Sequence, residues 1–122
     1  MNDTVVCLAP EELKILRQIT AEANEFGAQR LEPYGCTEAD VRELVAVLRQ
    51  KPVPPTGVCL AFVEPGNPVA DGQRPLVPAV LRWWKPVVQM VINGNSPQEL
   101  YYRTGFDFEE ISAAVERIPT AP

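Results

Sequence analysis

Pro78-Ala-Val-Leu-Arg-Trp-Trp-Lys-Pro-Val-Val-Gln-Met-Val-Ile92 is the stretch on which the fold turns. Val87, Val88, Val91 and Ile92 favour a strand, and Pro86 is unwelcome inside a helix. Yet Arg82, Lys85, Gln89 and Asn93 fall within a narrow arc at 100° per residue, and everything opposite them is apolar. Pro86 lies in that same arc, where a kink opens the solvent side and leaves the buried side packed. The segment therefore reads as a bent, largely buried helix. Pro78 opens it, and Gly94 closes it in the left-handed conformation.

Two short helices follow. Ser96-Pro-Gln-Glu99 is a complete capping box with proline at the first helical position, and its helix ends at Thr104-Gly105. Asp107-Phe-Glu-Glu110 opens the last helix in the same way, with Phe106 placed to staple onto Ile111. Ile111, Ala114, Val115 and Ile118 form its apolar face; Pro119 ends it, and residues 119–122 read as a frayed tail. Residues 78–118 thus form a helix-turn-helix-like unit, with Tyr101 where a small residue is usual.

Upstream, Pro10 with Glu11 and Glu12 starts a helix whose stripe is Leu13, Leu16, Ile19, Ala23 and Phe26; it stops at Gly27 or runs on to Glu32. Thr37 caps a second helix, with Asp40 three residues on, Val41, Leu44, Val45 and Leu48 as its apolar face, and Pro52 as its stop. Eight of the 13 prolines lie between Pro52 and Pro86, so residues 52–77 read as an irregular crossover. Within it, Val58 to Val63 reads as a short buried strand. Val-Cys-Leu-Ala occurs at 6–9 and again at 58–61; two such strands can pair into a minimal sheet, chance being the alternative. Residues 64–75 read as a loop long enough to bind something and equally consistent with a passive one.

These elements make one domain over residues 1–122: a helical part (1–51), the crossover (52–77), the helix-turn-helix-like part (78–118) and the tail. The fold class expected is mainly α, about five helices around one core, with room for one or two short strands.

The formal charge is −5, divided as −3 over residues 1–51, +1 over 52–98 and −3 over 99–122. A nucleic-acid binder usually shows a basic face. The chain has no histidine, which removes histidine-dependent triads, Cys–His dyads, histidine-ligated zinc and imidazole switches. Cys7, Cys36 and Cys59 are odd in number and form no C-x-x-C pair, so they read as reduced, mostly buried side chains rather than a disulfide framework or a metal site. No metal or cofactor is expected. The first residues lack the basic and apolar regions of a signal peptide, no apolar run is long enough to cross a bilayer, and a reducing cytoplasm is the expected location.

Arg82-Trp83-Trp84-Lys85 places both tryptophans about 100° apart, so one fills the core and the other sits at its edge. The outer one, between Arg82 and Lys85, is the candidate anchor for a protein partner, because Trp and Arg dominate interface hot spots. Tyr101, Tyr102 and Arg103 adjoin it if their helix packs on the tryptophan helix. As a recognition helix, the last one would present Asp107, Phe108, Glu109 and Glu116 with Arg117 as its sole cation, which a phosphate wall repels. Glu11/Glu12 and Glu109/Glu110 are paired only in sequence, at helix N-termini, where capping explains them.

Trp83, Lys85, Gln89, Gly94, Ser96-Pro97-Gln98, Leu100-Tyr101 and Thr104-Gly105-Phe106-Asp107 resemble the helix-turn-helix segment of the Rubisco accumulation factors. Those are cyanobacterial and chloroplast assembly chaperones. The resemblance spans residues 83–107 and implies a helical unit used for protein contact. The function expected is a non-catalytic protein-interaction module, an assembly factor, adaptor or regulator, with a homo-oligomer compatible. The alternative is a helix-turn-helix regulator reaching DNA as a dimer or with a partner; a small carboxylate enzyme comes third.

Overall fold

The computed structural model describes residues 4–121. It is mainly helical, with a three-stranded sheet at one side. The elements run β1 (Thr4–Leu8), α1 (Pro10–Ala21), α2 (Ala28–Leu31), α3 (Glu38–Arg49), β2 (Val58–Phe62), β3 (Gln73–Leu76), α4 (Val80–Asn93), α5 (Pro97–Thr104) and α6 (Phe108–Glu116). Among the described residues there are thus six α-helices where five were expected. The extra one arises where the first helix tightens into a 3-10 turn at Glu22–Phe26, breaks at Gly27 and resumes for a single turn.

Local chemistry accounts for the helix ends. The Thr37, Ser96 and Asp107 side chains accept from the backbone N–H groups of Asp40, Glu99 and Glu110, and each acid bonds back to the cap's own N–H. At Ala9 only the return half exists, its N–H donating to Glu12 Oε1 at 2.8 Å. Gly105 closes α5 in the left-handed region (φ +82°), and Phe106 and Ile111 on either side of the next cap are both in the core. Gly94 corrects the expectation: its φ is −86°, not left-handed. A Cβ there would lie 2.7 Å from the Phe26 ring, so close packing explains the glycine. Likewise α4 begins at Val80, after a turn, rather than at Pro78.

The repeated Val-Cys-Leu-Ala segments do pair. β1 runs antiparallel to β2, with Thr4 opposite Phe62 and Cys7 opposite Cys59. That register joins Cys7 and Cys59 in a disulfide, leaving Cys36 as the buried free thiol. The expectation of three reduced cysteines is therefore corrected: antiparallel pairing brings together two residues 52 apart in sequence. The cytoplasmic expectation loses the support it drew from them, since such bonds persist in oxidising surroundings. No helix among the described residues is long and apolar enough to cross a membrane.

β3 was read as the end of the 64–75 loop. It pairs parallel to β2, so β2 is the central strand and Pro75 sits on an edge strand, where a missing N–H is tolerated. Arg74 anchors β3. Its guanidinium is buried, and it donates to the carbonyls of Val47 (2.8 Å), Gln50 (2.6 Å) and Pro52 (3.1 Å), closing the C-terminal end of α3. Burial pulls its pKa below the ordinary arginine value. Arg74→Met should cost about 2–3 kcal/mol, because it strands three carbonyls accepting from a charged donor. A urea titration in which its midpoint equals that of the native chain would refute this role for Arg74.

α1 is the hub, packing against α3, α4, α5, α6 and β1. Its stripe, Leu13, Leu16 and Ile19, continued by Ala23 in the 3-10 turn, meets Leu44, Leu48, Val87, Leu100 and Ile111 in one core. On α4, Arg82, Pro86, Gln89 and Asn93 face solvent and Lys85 is half-buried, as the arc predicts. The sheet joins the core through Phe62, whose ring centroid lies 6.4 Å from that of Trp84.

Candidate functional site

The tryptophan patch is dismantled by packing. Trp83 is 4% exposed and Trp84 0%. Trp84 donates its indole N–H to the hydroxyl of Thr20, itself buried, at 3.1 Å. Neither ring is offered to a partner, which corrects the expectation that one of them is an outer anchor. The Thr20 bond turns the Trp84 indole edge toward α1, and Trp83 lies at the bottom of a groove that Gly35, Leu44 and Leu76 also line. Nor does α5 extend the patch, for its main contacts are with α1 and α6. Arg82 and Lys85 thus stay on α4, while Tyr101, Tyr102 and Arg103 belong to a different surface.

That surface is built differently from the one expected. Tyr101 is 58% exposed, Tyr102 88% and Phe108 43%. With Pro97, Asp107 and Glu109 they line an open groove of ≈ 760 Å³ between α5 and the first turn of α6. Three large aromatics left in water within eight residues are unusual unless something covers them. The left-handed turn at Gly105 sets this geometry by folding α6 back beside α5. Arg103, the last expected member, turns away to pair with Glu22 at 3.3 Å.

The electrostatics of the groove are acidic. Asp107 spends one carboxylate oxygen on the Glu110 N–H, and Glu109 has no ion-pair partner among the described residues. Glu99 is held below the usual carboxylate range by hydrogen bonding from Ser96. One acid of each sequence pair has a structural task. Glu12 bonds the Ala9 N–H and pairs with Arg117 at 3.3 Å, and Glu110 returns the bond to the Asp107 N–H. Phe108, Asp107 and Glu109 were legible as residues of the last helix. In the sequence they fall on the face that would meet DNA; their convergence with Tyr101 and Tyr102 depends on how α6 folds back at Gly105, which no local signal gives.

No group of three or more His, Cys, Asp or Glu side chains among the described residues is placed to hold a metal ion. No family model, curated protein or solved structure matches the chain.

Proposed function

We propose that the protein is a non-catalytic interaction module whose docking groove lies between α5 and α6 and receives a cationic segment of a protein partner. The observation that carries this reading is the exposure of Tyr102, Tyr101 and Phe108 around one groove rimmed by Asp107 and Glu109. Tyrosine offers rigid contact area at low entropic cost, and aromatic faces beside carboxylates attract arginine and lysine side chains. The helix-turn-helix arrangement serves protein contact here, in keeping with the resemblance over residues 83–107. DNA is the weaker reading because Asp107, Glu109, Glu110 and Glu116 all face solvent on α6.

The test is affinity purification from the native host, read by mass spectrometry, with Tyr102→Ala/Phe108→Ser beside the unaltered chain. Both positions are exposed, so the melting temperature should stay within about 0.5 kcal/mol of equivalent stability. A captured partner should drop by roughly tenfold or more, as at interface hot spots. Undiminished capture by the double variant would remove the groove from the function.

A further inference from the structure

The chain is acidic as a whole, yet its cations are not evenly spread. Lys14, Arg17, Arg49 and Lys51 line one groove, of ≈ 280 Å³, with no carboxylate in its wall. Arg49 is shared with an adjoining groove of ≈ 530 Å³, which Arg42 also lines and which again has no carboxylate. The two follow one seam. Pro10, Lys14, Arg17 and Ala21 recur at helical spacing along α1, and Arg42, Ala46 and Arg49 along α3.

Segregation of charge makes this a face rather than a scatter. Glu11, on α1, lines neither groove; Glu12 is drawn to Arg117, and Glu22, in the 3-10 turn that follows α1, to Arg103. On α3, Asp40 and Glu43 line the opposite groove, against β3 and α4, while Glu38, one turn before Arg42 on the same helical face, stands at the end of the seam and lines neither of its grooves. The two ion pairs among the described residues use none of the five seam cations. The Lys14 ammonium lies 6.0 Å from the Phe106 ring centroid.

We infer that the α1–α3 seam is a second docking surface, for an acidic amphipathic polypeptide segment. From Pro10 to Ala21 it is about 17 Å long at 1.5 Å per residue, room for roughly three turns of a helix. Between the cations the floor is aliphatic, with Leu13 and Leu48 buried beneath it and Val53 exposed as the apolar contact for a leucine-like side chain. No aromatic ring lines either groove, so the stacking platform that single-stranded nucleic acid uses is missing. This surface is separate from the α5–α6 groove and does not depend on it.

The probe is a fluorescein-labelled helical peptide of Glu, Asp and Leu at amphipathic spacing, titrated with the full chain by fluorescence anisotropy. Arg17→Glu/Arg49→Glu should weaken binding by roughly tenfold or more, with unchanged circular-dichroism melting, and added salt should weaken it for the native chain. Arg82→Glu, on α4, should leave it as it is. The inference is overturned if the peptide fails to bind at low salt, or if the double variant binds it as the native chain does. Tighter binding of a short single-stranded oligonucleotide than of the peptide overturns it too.

Discussion

Trp84→Ala is expected to lower stability by about 4 kcal/mol, at the upper end of what a buried aromatic is worth. In a domain of this size that is a fall in melting temperature of roughly 10–20 °C. The ring has no exposed surface, it neighbours Phe62, and its indole N–H supplies the donor to the buried Thr20 hydroxyl. Truncation therefore opens a cavity and orphans a polar group together. Trp84→Phe separates the two effects: it keeps most of the ring and forfeits the hydrogen bond, at about 1–2 kcal/mol. Thermal and urea unfolding of both variants decide the matter; an alanine variant as stable as the native chain would show that Trp84 is not in the core. Loss of partner capture by Trp84→Ala accordingly reports unfolding, whereas Tyr102→Ala/Phe108→Ser reports the surface.

The second large effect is expected at the Cys7–Cys59 bridge. Its cysteines are 52 residues apart, and closing a loop of that size removes about 4 kcal/mol of unfolded-state entropy in the chain-entropy picture. Reduction with dithiothreitol, or Cys7→Ala/Cys59→Ala, should lower the melting temperature accordingly and loosen β1 first, since β1 is an edge strand. Arg117, whose guanidinium donates to the Cys7 carbonyl at 2.6 Å, would still hold that end of β1 to α6. Thiol titration gives an independent reading. Cys36 is buried, and desolvation with the nearby Asp40 charge pushes its pKa up to about 11, so it should react slowly at pH 8. Denaturant alone should release one thiol, and denaturant with reductant all three. Three thiols without reductant would exclude the bridge.

Much of the helical architecture was legible because its signals are local. Capping boxes at Thr37, Ser96 and Asp107, the glycine at 105 and the stripes of α1, α3 and α6 involve residues within a turn or two of one another. The solvent arc of α4 also survived Pro86, because the proline falls on the exposed side where its missing N–H costs little. The repeated Val-Cys-Leu-Ala was a correct pointer to a strand pair, and the register of that pair is what sets Cys7 opposite Cys59. β3 gave no such pointer. Gln-Arg-Pro-Leu has neither alternation nor β-branched residues, and it is a strand because β2 offers a free edge and Arg74 finds three carbonyls.

The sequence by itself determined the capped starts of α3, α5 and α6, the buried stripes of α1, α3 and α6, and that the chain is acidic. Only the tertiary structure decided that both tryptophans are interior, that Cys7 meets Cys59, that Tyr101, Tyr102 and Phe108 share a groove, and that five cations gather along the α1–α3 seam. The physical reason is range. Capping and helical periodicity are written in neighbours a few residues apart, whereas burial, bridging and charge segregation depend on which faces of separate elements come to oppose one another across the core.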